Sequence, residues 1–539
     1  MSGNERYADE DLPVGAVVDG ETLGKDVDEE FDFVVIGSGA AGAVAAYTLT
    51  KAGFHVGIME EGPWVKTREF GEVVYEAFKR MFRDAGTQVL EGHSFMPLIQ
   101  GRCVGGSTVM NSAIAWRTPE DVFDDWAARF GLGDYVNAKA LEPHFDALEH
   151  DLNVHAVDDD ALGENNRMFI EQASKDGIDP RRMRRYDRGC KGSGRCMTGC
   201  PSAAKQGMSV TYVPWSLAHG ARIFTSCRCE KVLVENGRAV GALGTTTSND
   251  AGKARKHRVR LRARLGVFVA ASTIQTPNIL YRSGIRGAAL GEHFQAHPGH
   301  GMGGLFDKQV HMEQGATQGA ESIHFRRSDR IKIETISMQP ELAAVRIPGI
   351  GAELMKRFDD FSHLAVWCLL IRSEAEGTVK PGWGGRDKVK FSLTSGDMQR
   401  VRKGAALLAR MMFDAGAREV WPGIYGVPSV LKSRDEVKLI EESAADSRSY
   451  SFVATHLFGA ARMGPDPRTS VVGTDFSTHQ AKGLYVVDSS VFPTNLGVNP
   501  QHSIMAVSRL AATRVAADAT RSATRLAGAA RNTTRGTGT

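Results

Sequence analysis

The sequence predicts an α/β protein of two interleaved domains, the first of which is Rossmann-like. Three observations support this fold class. At 539 residues, the chain is longer than one simple core usually requires. A strand, a glycine-rich turn and a helix follow one another near the N-terminus. A second buried strand, which ends in an acidic residue, follows more than 400 residues later.

The glycine-rich turn has the spacing that a bound dinucleotide requires. Residues 31–36 form an apolar run suited to a strand buried on both faces. Gly37, Gly39 and Gly42 follow in the pattern G-x-G-x-x-G, which permits a tight turn and a close approach of pyrophosphate to the backbone. Glu60 closes the second strand, where its carboxylate can accept hydrogen bonds from a ribose. The stretch therefore predicts a dinucleotide site.

The late strand helps to choose between NAD and FAD, because the glycine motif fits either. The segment "GLYVVDSSVFPTNLGVNP" (residues 483–500) reads as a buried strand that ends in Asp488 and continues into a loop. A strand that returns an acid to the first site suggests a cofactor long enough to contact distant parts of the chain. FAD fits that arrangement better than NAD.

Composition and charge exclude several classes of partner. The 66 basic and 63 acidic side chains nearly balance, so we expect no nucleic acid. No run of ~18 apolar residues occurs, and we therefore expect no transmembrane segment. Residues 1–30 are predicted to be a polar extension without an export signal, which favours a cytoplasmic location but leaves export beside a partner subunit open. Residues 521–539 are predicted to be a disordered tail.

Further segments resemble the glucose–methanol–choline (GMC) family of FAD-dependent alcohol oxidoreductases. The segment "GRCVGGSTVMN" resembles the flavin-contacting loop of that family, with Gly105, Gly106, Ser107 and Asn111 at matching positions. The segment "STIQTPNILYRSGI" resembles a second family signature, although Arg286 stands where that pattern has glycine. The segments "GEHFQAHP", "HLFGAARMG" and "VVDSSVFPTNLGVNPQHSIMA" resemble the start of the substrate domain and the C-terminal half of the active site.

The resemblance covers about residues 30–515 and implies a composite domain organisation. A discontinuous FAD-binding domain would comprise residues 31–150, 200–300 and 455–520, with a cysteine-containing insertion at 151–199. A substrate-binding domain, built on an antiparallel sheet with helices behind it, would come from residues 301–454.

The resemblance also implies roles for individual residues. His456 would be the base that takes the hydroxyl proton of an alcohol, because histidine with its unperturbed pKa near ~6.5 can be neutral at working pH. Asn499 would hold the substrate oxygen. Val232 is also assigned to the cofactor-binding residues. We expect His297, which precedes a proline, and His502, three residues after Asn499 on a helix, to be structural.

Cys190, Cys196 and Cys200 form a cluster that leaves several interpretations open. Three thiolates can supply the outer ligands of a three-iron cluster, and the spacing resembles the [3Fe–4S] segment of bacterial glucose dehydrogenases in the GMC family. The following residues 204–207 resemble long-chain alcohol oxidases instead, which favours free thiols. Zinc or a disulfide is less favoured, because the loop holds no histidine and a reducing compartment opposes disulfides. We expect the other four cysteines to be packing residues: Cys103, Cys227, Cys229 and Cys368.

These features predict an FAD-dependent enzyme that oxidises an alcohol to a carbonyl. With a cluster present, the enzyme would be a dehydrogenase that passes electrons to an acceptor protein or small subunit, for which the basic run at 181–191 is a candidate contact. The alternatives are an oxygen-using oxidase of an apolar alcohol or sterol, suggested by the apolar residues 345–371, a non-oxidising relative, and a non-catalytic flavoprotein. Retention of His456 and Asn499 opposes the last two.

Overall fold

The structure is a computed structural model that describes residues 8–247 and 256–535. Most of its strands belong to two large sheets, one mainly parallel and one antiparallel. The strands are β1 (Val17–Asp19), β2 (Val27–Ile36), β3 (Val56–Met59), β4 (Val89–Leu90), β5 (Met96–Pro97), β6 (Val154–Ala156), β7 (Arg181–Arg182), β8 (Arg184–Tyr186), β9 (Arg222–Thr225), β10 (Cys227–Glu235), β11 (Arg238–Thr246), β12 (Arg258–Val269), β13 (Gln295–Phe306), β14 (Ala320–Ser322), β15 (Ile331–Thr335), β16 (Leu364–Ile371), β17 (Thr378–Pro381), β18 (Asp387–Lys390), β19 (Ala417–Trp421), β20 (Phe452–Phe458), β21 (Ser477–Thr478) and β22 (Ala481–Val486).

The helices cover these sheets. They are α1 (Ala40–Lys51), α2 (Val74–Met81), α3 (Glu120–Phe130), α4 (Ala138–Asp151), α5 (Asp159–Leu162), α6 (Glu164–Lys175), α7 (Tyr212–Ala218), α8 (Ser272–Arg282), α9 (Pro340–Ala343), α10 (Ala352–Asp359), α11 (Ser395–Asp414), α12 (Lys438–Glu441) and α13 (Gln501–Arg535). The small side chains of α1, mostly alanine, are buried and let this helix pack against α7 and α13. Helix α11 packs against β13, β15, β16 and β19.

The first sheet confirms the Rossmann-like part of the predicted fold. Strands β9, β3, β2 and β12 lie side by side and parallel, and β22 adds to β12 in the same direction. The C-terminal ends of β2 and β22 therefore meet at one edge of the sheet, where open α/β sheets bind their ligands. The return of the late strand to the glycine turn is as the sequence predicts.

The second sheet is antiparallel, as expected for the substrate domain, but its boundaries differ from the prediction. Strand β13 pairs with β16, β19 and β20, and β15 pairs with β16 and β14. Strands β13 and β20 lie partly or wholly outside the predicted range 301–454, and β7 joins this sheet from within the predicted insertion. Helix α6, also from that insertion, contributes Met168 and Phe169 to the core beneath this sheet.

Both terminal segments contain regular secondary structure. The proposed N-terminal extension supplies β1, which pairs with β9, and β2 begins at Val27 rather than at residue 31. Within the same segment the carboxylate of buried Asp9 accepts a hydrogen bond of 2.7 Å from the Thr67 N–H. Helix α13 continues to Arg535 and thus extends into the segment from residue 521 that is predicted to be disordered. The tail residues 536–539 lie outside the described part of the chain.

Candidate active site

The glycine turn after β2 has the geometry that its spacing predicts. Gly37 has a φ of +93°, and a Cβ atom there would lie 2.4 Å from the carbonyl oxygen of Ala270. A Cβ atom at Gly42 would lie 1.9 Å from the carbonyl oxygen of Gly37. Both positions therefore exclude a side chain. At Gly37 the reason is the backbone conformation of the turn, and at Gly42 it is the close packing of the first turn of α1 against Gly37. Gly39 is the N-cap of α1.

Glu60 lies where the second strand ends, beside the glycine turn. Its Oε2 atom accepts hydrogen bonds from the Ser38 N–H at 2.9 Å and the Ser38 hydroxyl at 2.6 Å, and its Oε1 atom accepts from the Gly62 N–H at 2.8 Å. Burial raises the pKa of Glu60, against these hydrogen bonds. The Ser38 hydroxyl also accepts from the Gly105 N–H at 3.1 Å. Ser38 thus joins the first glycine turn to the loop at 101–111.

The loop at 101–111 packs directly against the glycine turn. Gly105 and Gly106 both have positive φ, and a Cβ atom at Gly106 would lie 3.1 Å from the Cα atom of Gly39. The Ser107 hydroxyl accepts a hydrogen bond from the Gly101 N–H at 3.0 Å. The side chain of Asn111 accepts from the Ala113 N–H at 3.0 Å and donates to Gln501. The predicted cofactor residues of these two segments are therefore brought together.

Asp488 follows β22 at the same edge of the sheet. Its Oδ2 atom accepts from the Ser272 N–H at 3.1 Å and from the Thr276 hydroxyl at 2.5 Å, and its Oδ1 atom accepts from the Ser490 N–H at 2.9 Å. Burial raises the pKa of Asp488. Both oxygens are used within the chain, so the acid holds the start of α8 beside the glycine turn.

Val232 does not lie with the other predicted cofactor residues. It is buried in β10, and its N–H donates to the Ser283 hydroxyl at 2.8 Å, at the far end of α8. It is five residues along β10 from Cys227, whose N–H donates to the carbonyl oxygen of Glu60. Strand β10 thus approaches Glu60 through Cys227, and the assignment of Val232 to the cofactor stays a prediction.

His456 lies in the second sheet, directly opposite His297. Strands β13 and β20 place the two residues in register, with their Nδ1 atoms 3.3 Å apart. His297, predicted to be structural only, is thus in contact with the predicted base. Its Nε2 atom lies 3.1 Å from Asn495 Oδ1 and 2.8 Å from the Gly497 N–H. Sequence reasoning missed this pair, and its only signal was that both segments resembled family motifs.

Burial keeps both imidazoles neutral. Removal from water, followed by the charge of Lys332, lowers the pKa of His456 to about 3. The same burial, together with the neighbouring His456, lowers the pKa of His297 well below its ordinary value. A neutral imidazole can accept a proton, so the pair has the protonation state that a general base needs.

Asn499 lies in the loop before α13 and faces a cavity beneath the second sheet. Its Oδ1 atom accepts a hydrogen bond of 2.5 Å from the Nζ atom of Lys332, which is buried. The cavity is lined by His297, Lys332, Leu370, Ile371, Gly497, Val498 and Asn499. The structure thus brings Asn499 and His297 to one cavity, and His456 adjoins it through its contact with His297.

The chain matches known proteins along most of its length. Models of the GMC oxidoreductase family match residues 31–299 and 373–508. An uncharacterized GMC-type oxidoreductase of Mycobacterium tuberculosis strain H37Rv is 34% identical over 88% of this chain and 74% of its own length. The chain belongs to the GMC oxidoreductase family. A long-chain-alcohol oxidase of Arabidopsis thaliana is 26% identical over 90% of this chain and 67% of its own length.

Solved structures of GMC enzymes share the fold. Pyridoxine 4-oxidase from Mesorbium loti superposes with a TM-score of 0.67, at 17% identity over 90% of this chain and 98% of the other. A formate oxidase superposes with a TM-score of 0.69, at 15% identity over 92% and 99% of the two chains. Together with the family match, these similarities confirm the predicted fold and identify this GMC protein as an FAD-dependent oxidoreductase.

The first sheet of this GMC protein fits FAD by its own geometry. Gly39, the N-cap of helix α1, provides no side-chain cap, and the first turn of the helix has no acidic residue, so the N-terminal N–H groups suit a phosphate. The glycines of the turn and of the 101–111 loop keep side chains out of this region. Gly37, Gly39, Gly42, Gly105 and Gly106 would hold the cofactor through the backbone.

His502 is placed as a structural residue. It lies in the first turn of α13, is fully buried, and packs against Phe145 and Tyr186. Its Nε2 atom lies 3.3 Å from Glu149 Oε1. Burial lowers the pKa of His502, against the nearby carboxylate.

The three clustered cysteines line one pocket together with two buried cations. Arg185 donates to Cys196 Sγ at 3.4 Å. Lys205 donates from Nζ to the carbonyl oxygens of Cys196 (2.6 Å), Val109 (2.5 Å) and Asn111 (2.9 Å). Burial alone would raise the pKa of the Cys196 thiol, but Arg185 and Lys205 lower it to about 7. The cysteine loop is therefore joined to the loop at 101–111 by one ammonium group.

The thiols do not form a closed ligand set. Within residues 8–247 and 256–535, no three His, Cys, Asp or Glu side chains come close enough together to hold a metal ion. As placed, the residues do not fit a metal cluster. The other four cysteines are buried, as expected of packing residues.

Two further expectations concern the surface. Arginines of the basic run are paired within the chain: Arg181 with Asp179, Arg182 with Asp159, and Arg184 with Glu149. Their charges are therefore partly neutralised before any partner is present. In the part of the chain that the structure describes, no helix is both long and apolar enough to cross a membrane.

Proposed function

We propose that this enzyme oxidises the CH–OH group of an alcohol to a carbonyl, with His456 as the base. The contact between His456 and His297 carries the proposal, because it joins a neutral imidazole to a second residue that can fix its tautomer. FAD, when bound, would supply the hydride acceptor. The residues of the chain would bind the alcohol and remove its hydroxyl proton.

The tautomer of His297 decides which nitrogen of His456 is free. The Asn495 Nδ2 group donates to the Gln295 side chain and to the Ser373 carbonyl, so Asn495 Oδ1 faces His297. When His297 Nε2–H donates to Asn495, His297 Nδ1 accepts from His456 Nδ1–H. His456 Nε2 is then unprotonated and can accept the hydroxyl proton.

The opposite tautomer is unproductive. If His297 Nε2 accepts from the Gly497 N–H, His297 Nδ1–H donates to His456 Nδ1. His456 Nε2 then carries its own proton and cannot act as a base. We propose that the reactive arrangement forms when the Asn495 hydrogen bond to His297 Nε2 replaces that of the Gly497 N–H, and that Asn499 binds the substrate oxygen in the adjacent cavity.

Anaerobic mixing with a panel of alcohols tests the function, with loss of flavin absorbance as the measurement. We expect one or more alcohols to reduce the wild-type flavin, and His456→Ala to slow that reduction by ~10²-fold or more while FAD stays bound. His502→Gln is the matched control, because it changes a buried histidine that faces Glu149 instead. Equal rates in wild type and His456→Ala would refute His456 as the base.

The electron acceptor and the alcohol are further proposals. We propose a dehydrogenase that passes electrons to an external acceptor, such as an acceptor protein or small subunit, in the cytoplasm. An oxidase of an apolar alcohol is the second candidate, because an Arabidopsis relative is named a long-chain-alcohol oxidase and Leu370, Ile371 and Val498 line the cavity. Peroxide release during turnover in air distinguishes the oxidase from the dehydrogenase.

The [3Fe–4S] cluster, one of the interpretations that the sequence leaves open, stays outside the proposed reaction, because the three thiols are not placed as a ligand set. Iron analysis after anaerobic purification tests it. About three iron atoms per FAD, lost in Cys196→Ser, would establish a cluster, since three thiolates serve three irons. Protein that contains FAD but no iron would leave three thiols beside two cations.

A further inference from the structure

Lys332 is a buried lysine at the centre of the second sheet. It lies on β15, where Ile331 and Ile333 point into the core and Lys332 points to the opposite face. Only 2% of the residue is exposed. A buried ammonium is costly unless its donors are satisfied, so the partners of Lys332 explain why it is tolerated there.

The ammonium group uses all three of its donors on fixed oxygens. It lies 2.7 Å from Glu321 Oε2, 2.5 Å from Glu334 Oε2 and 2.5 Å from Asn499 Oδ1. Glu321 and Glu334 are directly opposite each other on β14 and β15. Lys332 therefore neutralises two facing carboxylates that would otherwise repel each other.

The third hydrogen bond does more than satisfy a donor, because it sets the orientation of an amide. The oxygen and nitrogen of a carboxamide are distinguished by their partners, and an ammonium can only donate. Asn499 must therefore present its oxygen to Lys332. Its NH₂ group is left for the cavity, where it can donate to an oxygen atom of a ligand.

We infer that Lys332 is a positioning residue that makes Asn499 a hydrogen-bond donor to the reacting oxygen of the substrate. The inference rests on the proposed function. A donor held in place before the reaction stabilises the negative charge that develops on that oxygen as its proton leaves. The ammonium sits behind the amide and adds a fixed positive charge to the same site.

The charge of Lys332 is secure across the working pH range. Burial would lower the pKa of Lys332, but Glu321 and Glu334 raise it above its ordinary value. The same positive charge contributes to the low pKa of His456. Lys332 thus supports a neutral base and an oriented donor from one position.

A double-mutant cycle on the FAD-loaded enzyme tests the inference. We expect Lys332→Met and Asn499→Ala each to slow anaerobic flavin reduction by ~10–10²-fold, as for loss of an oriented donor. The double variant should be no slower than the slower single variant, because Lys332 would act through Asn499. A double variant slowed by the product of the two single effects would overturn the inference, and so would a normal rate in Lys332→Met.

Gln318→Ala is the matched control for this cycle. Gln318 donates to Glu334 at 2.7 Å, so its removal disturbs the same carboxylate and leaves the contact between Lys332 and Asn499 intact. We expect a rate within about twofold of wild type. If Lys332→Met does not hold FAD, all four members of the cycle carry Glu321→Gln and Glu334→Gln, so that Lys332→Met leaves no unpaired buried carboxylate.

Acetate binding provides a measurement that does not need turnover. The change of flavin absorbance on titration with acetate gives its dissociation constant, and we expect a tenfold or greater weakening in Lys332→Met and Asn499→Ala but not in Gln318→Ala. If no alcohol reduces the wild-type flavin while this pattern holds, the proposed function fails, but the orientation of Asn499 by Lys332 as a donor to a bound oxygen is supported. Absent or equal acetate binding in all variants would overturn the inference.

Discussion

The Nδ1 atoms of His297 and His456 lie 3.3 Å apart where β13 and β20 pair. One of these residues comes from a segment predicted to be structural and the other from a segment predicted to be catalytic. Their contact places the proposed base on the second sheet. The first sheet, in contrast, holds the residues that fit the cofactor, so the proposed reaction site would lie between the two sheets.

Removing His297 should impair the base without releasing the cofactor. We expect His297→Ala to slow flavin reduction by alcohol by ~10-fold or more, because His456 would lose the partner that fixes its tautomer. His300→Ala is the control, since His300 is a buried histidine of the same strand that bonds only backbone oxygens among its described partners. Equal slowing in both variants would indicate a general effect on the strand.

The pH dependence of flavin reduction should show no loss of the base near pH 6.5. Because burial and Lys332 lower the pKa of His456 to about 3, the imidazole stays neutral well below its ordinary range. We expect the reduction rate to vary by less than about twofold between pH 5 and pH 8, measured by stopped-flow absorbance. In Lys332→Met the lost positive charge favours the protonated form, so the acid limb should move to higher pH. A wild-type limb centred near ~6.5 would contradict the prediction.

The same pKa has a consequence for stability. The folded pKa of His456 lies below that of the unfolded chain, so the unfolded state binds more protons between about pH 3 and ~6.5. The contribution to stability is therefore complete above pH ~6.5 and falls as the pH decreases towards 3. The difference in unfolding temperature between wild type and His456→Asn should change with pH in this window and become constant above it.

Ser38 should control how tightly the cofactor is held. Ser38→Ala removes the hydroxyl that joins Glu60 to the Gly105 N–H and leaves both without that partner, at a cost of about 1–3 kcal/mol. We expect FAD to be released at a lower temperature, followed by flavin fluorescence. Thr48→Ala removes a hydroxyl of α1 that bonds the Val44 carbonyl and serves as control. Unchanged release in Ser38→Ala would argue against a bridging role.

Local patterns predicted the first sheet well. The glycine spacing, the apolar strand and the acid at its end are all contained in about thirty residues, and a parallel strand buried on both faces has a distinct composition. Which segments of the chain belong to which sheet was harder to predict from the sequence. Strands β13 and β20 pair across 159 residues at His297 and His456, and no short pattern specifies which strand a distant segment joins.

Sequence reasoning predicted the site residues that belong to a recognisable motif. It missed the residues whose importance comes only from their contacts in the folded chain. Ser38 occupies a variable position inside the glycine pattern, and Lys332 is one charged residue in a short alternating strand, which by itself indicates an exposed face. Only the fold shows that both are buried and bonded. Val232 shows the opposite case, since it was assigned to the cofactor but its N–H bonds Ser283 at the far end of α8.

Lys205 should couple the cysteine loop to the cofactor. Its ammonium donates to the carbonyls of Val109, Asn111 and Cys196, and a methionine would leave these oxygens unpaired at a cost of roughly 1–3 kcal/mol each. We expect Lys205→Met to release FAD at a lower temperature and Lys205→Arg to recover part of the loss. Lys308→Met is the control, because Lys308 forms an exposed ion pair with Glu164, and such pairs contribute ~0–1 kcal/mol. Identical FAD release in Lys205→Met and wild type would show that the two loops are held independently.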